Sequence, residues 1–323
     1  MKKAITGYRT ILFISMIFLI TQSCERIYLI GPAGLEVNIK SDSIVFAVIG
    51  DYGKAGIPEE EVATMVKSWD PDFILTTGDN NYQNGEWGTI QENISDYYGD
   101  YIYNFDAPEE YQCGGNAFAE EINRFFPSPG NHDANNSDGL IPYLNFFTLP
   151  QGEEYYSFEW GSVSFYSLNS CAANMDEQST WLSEQLAISH TPFQIVYFHH
   201  SPYSPGPHGN DPKMQWDFFD QHVNLVLTGH DHIYSRISKL DEEGLYYIVN
   251  GIGGRSLYNS SVNPLPADQF DTFSYDSDYG AIRAVATASK LVVEFYAVSS
   301  PDDPIDSITI PAGRNSRINQ QVN

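Results

Sequence analysis

Apolar runs and amphipathic stretches alternate through the first two thirds of the chain. Ser43 to Ile49 (Ser-Ile-Val-Phe-Ala-Val-Ile) is almost continuously apolar, as expected for a strand buried on both faces. Ile57 to Trp69 carries Val62, Met65 and Val66 at helical spacing behind Pro58 and three glutamates, a helix start. Asp72 to Thr77 reads as a second strand. Residues 83–117, rich in Tyr, Gly, Asn and acidic side chains, read as a loop excursion with a little helix, and Phe118 to Phe126 as a helix leading into Pro127. Tyr155 to Trp160 and Ser162 to Leu168 form a hairpin turning at Gly161. Helices are expected over Gln178 to Ser189 and Asp211 to His222, and strands over Phe193 to Phe198 and Val223 to Thr228. Tyr246 to Val249, Ala281 to Thr287, Leu291 to Val298 and Ser307 to Ile310 complete the β-structure.

A partly parallel first half and a more antiparallel second half predict an α/β (α+β) fold. The expected form is a four-layer α/β/β/α sandwich of two mixed sheets with helices on both outer faces. One domain over 43–311 is expected, behind a segment 1–24 and a linker 25–42, with a polar tail at 312–323. In such folds, binding residues collect at strand ends and the loops after them.

Composition and charge then narrow the function. With 42% hydrophobic and 14% aromatic residues among 323, the chain is globular. Its formal net charge of −26 excludes a basic nucleic-acid surface and repels anions at long range. The acidity by itself implies no more than solubility.

The N-terminus reads as an export signal. Lys2 and Lys3 precede an apolar stretch, Ile11 to Ile20, too short to span a bilayer. Thr21-Gln22-Ser23-Cys24 follows and resembles a bacterial lipoprotein signal, with Cys24 lipidated, although Thr21 stands where Leu is usual. The expectation is a bacterial, exported, membrane-anchored lipoprotein, periplasmic or on the cell surface. Removing residues 1–24 would take away Lys2, Lys3 and Arg9 and no acidic group, bringing −26 to −29. Cys113 and Cys171 remain, and spacing leaves open whether they pair.

Five short segments carry metal-binding side chains, most of them after an apolar run. They are Gly50-Asp51-Tyr52-Gly53, Gly78-Asp79-Asn80-Asn81-Tyr82, Gly130-Asn131-His132-Asp133, Val196-Tyr197-Phe198-His199 and Gly229-His230-Asp231-His232. Singly each has a plain structural alternative. Asp51 could cap a turn, Gly-Asp is common in turns, and Asn131 suits one equally. His199 ends a strand that wants burial, so it needs a partner or a metal. His230 and His232, two apart, would share one face of an extended segment, whereas a turn after Gly229 would change that geometry. Together they offer two carboxylates, a phenol, an amide oxygen and three imidazoles, enough for two adjacent metal ions.

In this order the motifs resemble those of the purple acid phosphatases, a branch of the calcineurin-like metallophosphoesterases. The likeness covers residues 50–232, and Tyr82 is its discriminating residue. It is closest to the small, single-domain, tartrate-resistant type. The resemblance implies an Fe(III) held by Asp51, Asp79, Tyr82 and His232. It implies a divalent Fe, Zn or Mn held by Asp79, Asn131, His199 and His230, with Asp79 bridging. Hard phenolate and carboxylate donors suit Fe(III), and imidazoles suit the divalent ion. A metal-activated hydroxide would attack phosphate monoesters. His132 would contact the phosphate, and His208, nine residues after His199, would act with it in binding or in protonating the leaving group. Some relatives carry a second histidine next to that position, where this chain has Gly209. His200 is expected to point elsewhere, and His222 to end a helix.

Other readings stay open. The same centre would serve a phosphodiesterase, nucleotidase or phytase, and the fold could carry a non-catalytic surface binding protein. Tyr203, Tyr234 and the loop Asp106 to Asn116 could line the site, though each is as well explained by ordinary packing. Asn250-Gly251-Ile252-Gly253-Gly254 lacks the Lys-Ser/Thr of a P-loop and reads as a tight structural turn.

Overall fold

The structure, a computed structural model, describes residues 28–30, 36–38, 43–173 and 175–313. The expected signal segment with Cys24, most of the linker and the tail beyond 313 lie outside the described residues. A short antiparallel pair, β1 (Tyr28–Ile30) and β2 (Glu36–Asn38), comes first. Then follow β3 (Ser43–Ile49), α1 (Ile57–Ser68), β4 (Phe73–Thr76), α2 (Asp96–Tyr98), α3 (Asn116–Glu120), β5 (Phe125–Pro127) and α4 (Ile141–Phe146). The hairpin is β6 (Tyr156–Trp160) and β7 (Val163–Ser167), turning at Gly161 as expected. After it run α5 (Met175–Ile188), β8 (Phe193–Tyr197), β9 (Leu225–Thr228), β10 (Tyr234–Lys239) and β11 (Tyr246–Asn250). The last strands are β12 (Phe270–Tyr275), β13 (Gly280–Thr287), β14 (Lys290–Ala297) and β15 (Asp306–Pro311).

These strands make two mixed sheets. One has six strands in the order β15-β14-β13-β3-β4-β5, and the other seven in the order β12-β10-β11-β9-β8-β7-β6. In the first, β3, β4 and β5 are parallel; in the second, β7, β8, β9 and β11 are parallel. The sheets pack face to face through aromatic rings: Phe46 meets Phe165 edge-on at 5.2 Å, and Phe126 stacks on Phe158 at 4.1 Å. Fully burying a ring of this size contributes about 2 kcal/mol.

The continuous apolar runs have a direct cause. On β8, Phe193, Ile195 and Tyr197 enter the inter-sheet core, while Val196 joins a second core on the outer face beneath α5 and its Leu182. Helix α1 buries Val62, Met65 and Val66 and lies over β13 on the other outer face. The four-layer α/β/β/α arrangement is the one expected.

Two expected helices are absent. Phe118 to Phe126 divides into the short α3 and the edge strand β5, because Phe125 and Phe126 are buried as sheet residues. Asp211 to His222 is a series of tight turns after one 3-10 turn at Pro212–Met214. Its apolar Met214 and Phe218 anchor to the outer core instead of lining a helix. Strands β10 and β12 were not anticipated, since polar residues interrupt their apolar positions. Cys113 and Cys171 are both free thiols.

Candidate metal centre

All five motif segments fall where the parallel strands end. Asp51 follows β3, Asp79 and Tyr82 follow β4, Asn131 and His132 follow β5, His199 and His200 follow β8, and His230 and His232 follow β9. The two sheets therefore present their carboxyl-terminal strand ends to one common edge. The local backbone is strained to do so: Asp51 (φ 52), Asp79 (φ 52) and His230 (φ 71) all occupy the left-handed region, unusual for residues with a side chain. Gly78 (φ 94) shows why that position is glycine, because a Cβ there would lie 2.7 Å from His199 Nδ1.

The expected ligands come together in two groups. In the first, the Tyr82 hydroxyl lies 3.1 Å from Asp51 Oδ1, 2.9 Å from Asp79 Oδ2 and 3.3 Å from His232 Nε2. His232 Nε2 is 3.3 Å from Asp51 Oδ1. In the second, His199 Nε2 lies 3.0 Å from Asn131 Oδ1, 3.1 Å from His230 Nδ1 and 3.4 Å from Asp79 Oδ1. Asp79 is common to both. His230 and His232 do not share a face. Tight turns at Gly229, Asp231 and Ile233 send them to different groups, His230 to His199 and His232 to Asp51.

Hydrogen bonding fixes the imidazoles. His199 Nδ1 donates to the Thr77 carbonyl at 2.9 Å, so its Nε2 lone pair faces the cluster. Burial holds its pKa down at about 3, which keeps that nitrogen unprotonated. A bare lone pair, an amide oxygen and a carboxylate oxygen thus converge, an arrangement that suits a cation. Burial and the neighbouring His199 likewise push His230 down. His232 Nδ1 donates to the Ser256 carbonyl at 2.7 Å. Burial alone would lower its pKa, but Asp51 outweighs burial and holds it up. Burial, then Asp51 and Asp79, push the Tyr82 phenol well above its ordinary value. Burial also raises Asp79. The donor set therefore fits two metal ions: carboxylates and phenol on one side, imidazoles and amide oxygen on the other.

The two expected phosphate-side histidines flank this cluster. His132 donates its backbone N–H to Asp79 Oδ1 at 2.9 Å, and its Nδ1 is bound to the Gln83 carbonyl at 2.7 Å. Its Nε2 then faces inward, 4.0 Å from Asp79 Oδ2. His208 is exposed and stacks on His230 with ring centres 4.0 Å apart. His200 does not point away as expected. Its ring packs 4.4 Å from His230, with Nδ1 hydrogen-bonded to Ser170, so His199, His200 and His230 also form a possible ligand trio. His222 lies in a turn (φ 62), away from a helix end. Tyr203 packs on Tyr247 and Phe270, and Tyr234 on Phe295, so neither lines the centre.

Supporting residues were less legible. Asp133 accepts backbone N–H groups from Gly130 at 2.7 Å, Asn80 at 3.0 Å and Asn81 at 3.1 Å, which ties the second and third loops together. Asp231 accepts from the His208 N–H at 2.9 Å and from the Ser204 hydroxyl, fixing the His208 loop. A sixth strand-end loop, after β11, reads in the sequence as a structural turn. It is one, since a Cβ on Gly251 would lie 2.2 Å from the Asp231 carbonyl oxygen. It also clamps His232: Tyr258 donates its N–H to the His232 carbonyl at 2.9 Å, and its ring stacks on the imidazole at 4.0 Å. The signal was its position after an apolar strand, the same rule that located the other five.

Fold and donor set together define a metal-dependent phosphoester hydrolase. The chain belongs to the calcineurin-like phosphoesterase family, which matches residues 44–234. It is 25% identical over 313 residues to purple acid phosphatase 17 of Arabidopsis thaliana, covering 87% of each chain. Its fold is similar to that of a purple acid phosphatase, PPD1, from yellow lupin (Lupinus luteus) seeds, with a TM-score of 0.64 at 19% identity. That match covers 83% of this chain and 54% of the lupin protein. A comparable likeness (TM-score 0.63, 17% identity, 84% of this chain and 89% of the other) joins it to GAP50, described as the anchor in the inner membrane complex of Plasmodium.

Proposed function

We propose that the chain is an exported dimetal phosphatase of the purple acid type acting on phosphate monoesters. The observation that carries this reading is the pair of donor groups sharing Asp79. Asp51, Asp79, Tyr82 and His232 would hold Fe(III), and Asp79, Asn131, His199 and His230 a divalent Fe, Zn or Mn. Bound there, two ions would supply charge neutralisation for the phosphoryl oxygens and a nucleophile at neutral pH. The chain's own groups do the rest. Thr77 and Ser256 orient the imidazoles through their carbonyls. His132, anchored to Gln83 with Nε2 turned to Asp79, would contact the phosphate. His208, exposed and stacked on His230, would bind the phosphate or protonate a leaving alkoxide.

Export and lipidation of Cys24 rest on the N-terminal pattern, and among the described residues no helix is long and apolar enough to cross a membrane. Gly209, standing where some relatives carry a second histidine, keeps diesters, nucleotides and phytate as the second reading. A non-catalytic surface binding protein on this fold is disfavoured because every expected donor is in place. The test is turnover of 4-nitrophenyl phosphate by the protein loaded with iron and zinc, together with its visible spectrum. Turnover with a tyrosinate-to-iron band supports the proposal. Absence of both, with no turnover of any ester, sinks it.

A further inference from the structure

The sixth loop brings one permanent cation to the metal centre. Arg255 is partly exposed, and its guanidinium carbon lies 5.2 Å from the centre of the Tyr82 ring. That ring's hydroxyl reaches between Asp51 and Asp79. Arg255 is placed by its backbone, whose N–H donates to the Asp51 carbonyl at 2.9 Å, so the side chain is not needed to hold the loop. Arg236 and Arg283 are paired with Asp306 and Glu294, whereas among the described residues no carboxylate is in ion-pair range of Arg255. Its Nη1 lies 3.3 Å from the Ser256 hydroxyl. Asn131, His132, His200, His208 and Tyr258, also open to solvent beside the donor groups, carry no fixed positive charge.

We propose that Arg255 is the specificity-determining residue of this centre, its guanidinium taking a non-bridging oxygen that only a phosphate monoester presents. This rests on the phosphatase reading above. A monoester has three non-bridging oxygens and, with a second pKa of about 6, close to two negative charges at pH 7. A diester has two such oxygens and one charge. With two oxygens directed at the paired donor groups, the third oxygen of a monoester is left for a donor from the chain. A guanidinium suits it, being always charged and presenting a planar fork of N–H groups. The strongly acidic chain, net −26, opposes any anion at long range, so a fixed cation beside the metal centre favours the more charged ester. The cation–π contact with Tyr82, 5.2 Å from the ring centre, keeps that cation beside a residue of the centre.

The test uses the full, metal-loaded protein as wild type, Arg255→Ala and Arg255→Lys. It compares kcat/KM for 4-nitrophenyl phosphate and bis(4-nitrophenyl) phosphate, and the Kd of inorganic phosphate by calorimetry. Loss of one charge-assisted hydrogen bond predicts a monoester kcat/KM lower by about 10–100-fold in Arg255→Ala. The diester value should change by less than about 3-fold, and phosphate should bind correspondingly more weakly. Arg255→Lys, which keeps the charge and loses the fork, should fall between. A parallel loss on both esters would mean that Arg255 only packs against Tyr82, and would overturn the proposal, as would an unchanged ratio. Should the wild type turn over neither ester, the phosphatase reading fails. Equal phosphate affinity in wild type and Arg255→Ala would then overturn the role of Arg255 by itself.

Discussion

The two sheets contribute different chemistry to one site. The loops of the six-stranded sheet supply only oxygen donors, Asp51, Asp79, Tyr82 and Asn131, and those of the seven-stranded sheet only nitrogen donors, His199, His230 and His232. Neither half makes a complete centre. The halves are joined by hydrogen bonds across the seam, from His199 Nδ1 to the Thr77 carbonyl and from the His230 N–H to Asp51 Oδ2 at 2.9 Å. The centre thus depends on the face-to-face packing of the sheets as much as on the ligands themselves. Asp79, whose two oxygens face the two donor groups, is the residue on which both halves depend.

The largest expected effect comes from removing that shared residue. In Asp79→Asn, metal content measured by mass spectrometry should fall from about two ions per chain to one or none, with turnover lower by more than about 1,000-fold. A variant that kept both ions would mean the two groups are independent. A smaller effect, on stability alone, tests a buried carboxyl outside the centre. Glu59, in the first turn of α1, has a buried carboxyl with no side-chain partner; burial, only partly offset by the Lys54 backbone N–H, pushes its pKa from 4.5 up to about 10. It stays neutral in the fold where the unfolded chain would ionise it, so stability is lost as pH rises from 4.5 toward 10. Glu59→Gln should match wild type below about pH 4.5 and gain about 3 kcal/mol at pH 7, seen in thermal melts as a difference that grows with pH. A difference independent of pH would contradict the assignment.

How much was legible follows from the same geometry. The buried parallel strands were readable because both faces are covered, as at β3, β8 and β9, and their ends led to every oxygen and nitrogen donor in the two groups. The partition of His230 from His232 came from the resemblance and not from their spacing, because it depends on turns and a positive φ that side-chain identities do not announce. His200 was misplaced for a related reason: the strand ends one residue before Phe198, so alternation no longer governs where its ring goes. Arg255 and Tyr258 carry no motif and are brought to the site by the β11 loop alone. The helix expected over Asp211 to His222 failed because its apolar residues serve the outer core through turns.

The most direct measurement is a crystal structure of the iron- and zinc-loaded protein, with anomalous scattering collected at both metal edges. The account predicts two ions joined by Asp79, one beside Asp51, Tyr82 and His232 and the other beside Asn131, His199 and His230. A single ion, or one held by the neighbouring trio His199, His200 and His230 in place of the second group, would contradict it.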